Sequence, residues 1–206
     1  MKKLFLASSF EGVASLLPNF TGEDLTDKKV LFIPTAGKLE ENTFYIDADR
    51  KALEDLGLIV EDLDASRVLY DEAKEKINNT DYLFVCGGNT FFLLQELKRR
   101  NIDKLVIEHI NKGKAYISTS AGSLIMQKKI INDNADRVED APDLKNDFSA
   151  LSIIDFYIYV HYGHNYYGND DECIDKYYSN LELIKISDKQ VVTVLGEQVK
   201  VLSAGL

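Results

Sequence analysis

The chain has 206 residues, a formal net charge of -10, and 45% hydrophobic against 28% charged side chains. This length fits a single domain, residues 1–206, able to bury roughly 70% of the surface its unfolded chain exposes without a disulfide or metal staple. No apolar run approaches the roughly 20 residues that span a bilayer, and the basic residues are dispersed, so neither a membrane nor a nucleic-acid partner is expected.

The start, Met1-Lys2-Lys3-Leu4-Phe5-Leu6-Ala7, has too brief an apolar stretch for a secretory leader and reads as a strand over residues 4–7, which predicts a cytoplasmic protein. Residues 12–17 supply a short helix. A turn at Gly22-Glu23-Asp24 leads to a second apolar strand over 29–34; helical periodicity over 43–56 then ends at Gly57, and 58–60 starts a third strand. A helix over 68–77 stops at Asn78-Asn79. The fourth strand, 82–86, runs into Gly87-Gly88-Asn89-Thr90 and a helix over 91–99, and another helix over 104–111 leads through Gly113 into a strand over 114–117. Apolar strands alternating with helices predict an α/β, three-layer Rossmann-like fold, a mostly parallel sheet with helices on both faces. In such sheets ligands bind beyond the carboxyl ends of the strands, where Gly87-Gly88 and Ser120 both fall.

Past residue 128 the pattern weakens, and Asn132-Asp133-Asn134-Ala135-Asp136 reads as surface loop or short helix. Strand character returns at 156–160. The following His161-Tyr162-Gly163-His164-Asn165-Tyr166-Tyr167-Gly168-Asn169 is dense in aromatics and glycine, suited to a mobile wall over a pocket or to an ordinary surface loop. A helical stretch near 173–178 precedes strands at 183–186 and 191–195, joined through Ser187-Asp188-Lys189-Gln190, and a last strand at 198–202. The two cysteines, Cys86 and Cys173, lie far apart without metal-ligand spacing, which argues against a disulfide framework or a zinc site.

The chemistry concentrates on Tyr116-Ile117-Ser118-Thr119-Ser120-Ala121-Gly122-Ser123, where Ser120 falls between an apolar strand and the apolar helical residues 124–126. A strand-turn-helix elbow of this kind exposes a nucleophile and needs small neighbours, and it directs backbone N–H groups, that of Ala121 among them, at an oxyanion. The plainer reading is an N-cap cluster opening a helix. A serine nucleophile needs a base, and only three histidines exist. His109, at helical spacing, reads as a helix-surface residue. His161 ends a strand and is favoured over His164, whose loop position fits a substrate contact. The acid that would orient the imidazole stays open among Asp188, Asp155 and Asp136. Gly87 and Gly88 permit close backbone approach, so Gly88 is a candidate second oxyanion donor, or the pair is simply a turn. Cys86 ends an apolar run and reads as buried.

Gly87-Gly88-Asn89-Thr90-Phe91, Ser118-Thr119-Ser120-Ala121-Gly122 and a strand ending at His161, in this order, resemble the peptidase E family, serine peptidases on a fold related to class I glutamine amidotransferases. The resemblance extends over most of the chain. It implies Ser120 as nucleophile, His161 as base, Gly88 and Ala121 as oxyanion donors, no metal or organic cofactor, and a short peptide as substrate. The family's late acidic residue, usually glutamate, falls at Asp188. Asn89, Thr90, Tyr162 and His164 are then the expected substrate contacts, and a homodimer fits the resemblance. One departure concerns specificity. The family holds an N-terminal aspartate with an arginine after the histidine, whereas this chain reads Tyr167-Gly168-Asn169-Asp170-Asp171-Glu172. Carboxylates there would repel an aspartyl side chain. The serine motif is also similar to that of cyanophycinases, which cleave an aspartate-arginine polymer. The expectation is a serine exopeptidase; the competing class is a non-catalytic small-molecule-binding protein on the same fold.

Overall fold

The computed structural model describes residues 1–131, 137–164 and 178–205. From the N-terminus run β1 (Lys3–Ala7), a 3-10 turn over Glu11–Leu16, α1 (Leu17–Thr21), β2 (Lys29–Ile33), a second 3-10 turn over Thr35–Leu39, α2 (Phe44–Asp55), β3 (Ile59–Asp62), α3 (Tyr70–Asn79) and β4 (Tyr82–Val85). There follow α4 (Thr90–Arg99), α5 (Ile102–Asn111), β5 (Ala115–Thr119), α6 (Ala121–Leu124), β6 (Tyr157–Tyr159), β7 (Leu183–Lys185), β8 (Gln190–Leu195) and β9 (Gln198–Ser203). The helical expectations at 132–136 and 173–178 fall on or largely on residues outside those described.

Seven strands form one sheet in the order β3-β2-β4-β5-β1-β8-β9. The first five are parallel; β8 runs antiparallel to β1, and β9 antiparallel to β8. Strands covered on both faces read as near-continuous apolar runs, and β4, β5 and nearly all of β1 and β2 are buried. Alternate side chains divide between two cores. Phe5, Phe32, Phe84 and Ile117 pack with Val13, Leu17 and Leu53 from the early helical segments, while Leu4, Leu31, Val85 and Tyr116 pack with Ile77, Leu97 and Ile110 from α3, α4 and α5. Connections leading outward from β1 to β3 thus cover one face and those returning to β5 the other, as right-handed crossovers require. This is the three-layer α/β architecture expected from the alternation of elements.

Three local expectations are corrected. The strand leading to His161 does not join the main sheet, because β6 and β7 form a separate parallel pair. Tyr157-Ile158-Tyr159 buries only its central residue, so it suits a half-exposed ribbon. The helix after Ser120 begins at Ala121 and lasts four residues. It stops because the carbonyls of Ile125, Met126 and Gln127 accept N–H groups from Leu151, Ser152, Ile153 and Ile154 and are unavailable to continue it. His109 is buried at 2% exposure, and its Nε2–H donates to the Ala115 carbonyl, tying α5 to β5.

Candidate active site

Ser120 follows β5 with φ 47° and ψ -112°, a backbone conformation that costs a non-glycine residue about 1–3 kcal/mol and persists only where its surroundings over-determine it. They do so here. Its N–H donates to the Ala7 carbonyl at 3.0 Å, and its own carbonyl accepts from Ser123 and Leu124. The Ser123 hydroxyl donates to Ala7 at 2.8 Å and meets the Ser118 hydroxyl at 2.9 Å, while Tyr116 holds the Gly122 carbonyl at 2.7 Å. Thr119 links the elbow to the end of β1, donating to the Ser8 carbonyl and accepting from the Phe10 N–H.

The imidazole of His161 lies beside this serine, with 3.1 Å between Ser120 Oγ and Nε2. On its other side Nδ1 stands 2.6 Å from Asp188 Oδ1. An ionised carboxylate only accepts, so the proton between them sits on Nδ1 and leaves Nε2 to accept from the Ser120 hydroxyl. Burial pushes the Asp188 carboxyl up, but hydrogen bonds from His161 and Ser8, with the charge of the imidazoles nearby, outweigh it and hold its pKa below the ordinary carboxylate value.

Two β interactions bring Asp188 and His161 together across 27 positions of sequence. Because β8 is antiparallel to β1, Val191 pairs with Ala7, and the turn at Ser187–Gln190 arrives beside the carboxyl end of β1. Pairing of β6 with β7 continues through Ile186, whose N–H donates to Tyr159 and whose carbonyl accepts from Tyr162, so the chain around His161 tracks the chain before Asp188. Among the three acids left open by sequence, geometry brings Asp188 to the imidazole. Asp155 pairs with Lys128 and is solvent-exposed, and Asp136 lies outside the described residues.

Gly88, at φ 126°, lies against the backbone of Ala36 and Gly37 so closely that a β-carbon there would come inside 3.0 Å of both; only glycine fits. Its neighbour Gly87 abuts Ser120. The N–H groups of Gly88 and Ala121 have no acceptor among the described residues, which leaves them free to meet a developing oxyanion. With α6 so short, these are local oriented dipoles rather than the end of a long helix macrodipole.

The expected substrate contacts divide. Asn89 is 1% exposed and its side chain is committed to structure: Oδ1 accepts from Phe92 N–H as an N-cap, and Nδ2 donates to the Arg137 carbonyl and to Asp140. Thr90 is equally buried. Neither side chain faces solvent: that of Asn89 caps α4, and Thr90 is the first residue of the helix. His164 is half-exposed, with Nε2 3.7 Å from Asp188 Oδ2, and Tyr162 packs against Tyr159 with the Lys185 ammonium 5.1 Å from its ring centre. Both sit beside His161, on the rim of the site. Cys86 is buried as expected, and burial pushes its thiol pKa up, away from nucleophilic use. One residue of this cluster escaped the sequence reading. Ser8, fully buried after β1, donates to Asp188 Oδ1 at 2.7 Å and accepts the His161 backbone N–H at 2.7 Å. A serine among Ala7-Ser8-Ser9 carries no signal by itself; only the β1–β8 pairing puts it there.

Among the described residues no helix is long and apolar enough to cross a membrane. An uncharacterized peptidase of Listeria monocytogenes, Lmo0363, is 41% identical over 201 residues, covering 97% of both chains. An uncharacterized peptidase of Pasteurella multocida, PM1590, is 41% identical over 199 residues, covering 96% of this chain and 95% of that protein. Peptidase E of Shewanella denitrificans is 34% identical over 144 residues, 67% of this chain and 58% of the longer relative. A crystal structure described as a peptidase E protein from Listeria monocytogenes EGD-e superposes with a TM-score of 0.92 at 40% identity over the full length of both chains. The model of peptidase family S51 matches residues 4–202, and the chain belongs to that family.

Proposed function

We propose that this chain is a serine exopeptidase that hydrolyses short peptides through Ser120, His161 and Asp188. The observation that carries the reading is the continuous hydrogen-bonded series from Ser120 Oγ through both nitrogens of His161 to Asp188, at 3.1 and 2.6 Å. In the proposed reaction His161 Nε2 takes the hydroxyl proton as Ser120 Oγ attacks the peptide carbonyl. The carbonyl oxygen, gaining charge, turns toward the N–H groups of Gly88 and Ala121. His161 then gives its proton to the leaving amine, and water, activated by the same nitrogen, hydrolyses the acyl-enzyme. Asp188 fixes the Nδ1–H tautomer and stabilises the imidazolium in between. The reading includes a preference for neutral or basic over aspartyl N-terminal residues, supported by the acidic Asp170-Asp171-Glu172 where the family places an arginine.

Hydrolysis of a dipeptide panel with aspartyl, neutral and basic N-terminal residues, by wild type and Ser120→Ala, tests it. Wild type should cleave and the variant lose turnover by about a million-fold. Activity that survives Ser120→Ala would rule out the mechanism, and preferential cleavage of the aspartyl member would overturn the specificity.

A further inference from the structure

The Ser120-His161 bond needs an imidazole held in one orientation, yet His161 is a non-glycine residue at φ 58° outside the main sheet, and Asp188 sits on a turn. Neither residue lies on a strand of the main sheet. What they share is Ser8, which follows β1, an interior strand of the sheet, and is fully buried. Its Oγ accepts the His161 backbone N–H at 2.7 Å, fixing the left-handed residue, and donates to Asp188 Oδ1 at 2.7 Å, the same oxygen that receives His161 Nδ1–H. The same Oγ is 3.2 Å from Nδ1 itself, so one hydroxyl touches the backbone of the base, its ring and its acid. Its own carbonyl is held by Thr119, immediately before Ser120.

We propose that Ser8 is a positioning residue of this site, locking His161 and Asp188 to the end of β1 so that the imidazole stays aimed at Ser120. The assignment rests on the peptidase reading above. Its chemistry requires an acceptor and a donor on one small side chain, which serine provides and alanine does not. Cysteine fills nearly the same volume, but its thiol is weak in both roles. A residue that keeps the imidazole engaged with Asp188 loses most of its effect once Asp188→Asn has already released that imidazole from its productive tautomer, whereas a residue that merely supports the fold does not.

The test measures kcat and KM on a cleaved dipeptide, the rate of labelling by a fluorophosphonate, and the melting midpoint, for the full chain with Ser8→Ala, Ser8→Cys, Asp188→Asn and the Ser8→Ala/Asp188→Asn pair. Both Ser8 variants should lower kcat and labelling roughly tenfold or more with KM within about twofold, and Ser8→Ala should add less than about threefold in the Asp188→Asn background. If Ser8→Ala fails to fold, the near-isosteric Ser8→Cys decides on kcat and labelling. Wild-type rates in a folded Ser8 variant would overturn the assignment while leaving the peptidase intact, as would an equal factor in both backgrounds. A wild type that neither cleaves nor labels would overturn the peptidase reading, and the role of Ser8 with it.

Discussion

The carbonyl oxygen of Asp188 lies well inside contact distance of the point where a β-carbon on Gly12 would stand. The 3-10 segment after β1 and the turn before β8 therefore meet backbone to backbone, beside the carboxylate that His161 engages. Gly12→Ala should force the turn outward while leaving both cores untouched. Misplacement by about 1 Å costs on the order of a hundredfold in rate. We expect kcat/KM on a cleaved dipeptide to fall by roughly that factor, with the melting midpoint lowered by only a few degrees; an unchanged rate would mean that the turn yields without moving the carboxylate.

Gly88 makes a second such contact, against Ala36 and Gly37, but here the affected group is the proposed oxyanion donor. A side chain at φ 126° is strained whatever the space. Gly88→Ala should tilt this N–H from the oxyanion, and loss of one donor costs about 10²–10³ in kcat. Labelling of Ser120 by a fluorophosphonate, which also develops an oxyanion, should slow in parallel. Equal labelling of variant and wild type would remove Gly88 from the proposed hole.

How much of this was legible in the sequence follows from the range of the interactions. The β1, β2, β4 and β5 strands are buried on both faces, so each announces itself as an apolar run, and the Ser120 elbow is a local pattern of small residues. Ser120 and Gly88 were thus readable within a few positions of themselves. Asp188 was not, because an acidic residue in a turn gains meaning only through the pairing of Val191 with Ala7. Ser8 was invisible for the same reason. The separate β6–β7 ribbon and the burial of His109 also depend on tertiary partners, and helical spacing alone gave the opposite expectation for that histidine.

Asp188 carries a further consequence. Its carboxyl pKa is held below the ordinary 3.8 by hydrogen bonds from His161 and Ser8, which overcome the opposing effect of burial. A carboxylate with a depressed folded pKa contributes stability that is complete above the unfolded value and disappears as pH falls through the folded one. Any loss of activity between pH 5 and 7 must then come from another group. Asp188→Asn should lower kcat by roughly 10⁴ at neutral pH by allowing the wrong tautomer. It should also remove part of the loss of stability expected below about pH 4. Wild-type turnover in this variant would exclude Asp188 as the orienting acid.

His109 predicts a loss of stability in a higher window of pH. Burial lowers its pKa from 6.5 to about 4, and its Nε2–H is already committed to the Ala115 carbonyl, so the folded chain resists the second proton. Between those two values the unfolded chain binds the proton and the folded one does not, which makes stability rise with pH across that window. The full shift corresponds to about 3 kcal/mol, complete above pH 6.5 and lost toward pH 4. His109→Gln keeps an N–H donor for Ala115 but cannot titrate. Denaturant unfolding of both proteins at several pH values between 4 and 7 should therefore give a shallower curve for the variant, converging with or exceeding wild type at the acid end. Parallel curves would show that His109 accepts its proton without unfolding the α5–β5 junction.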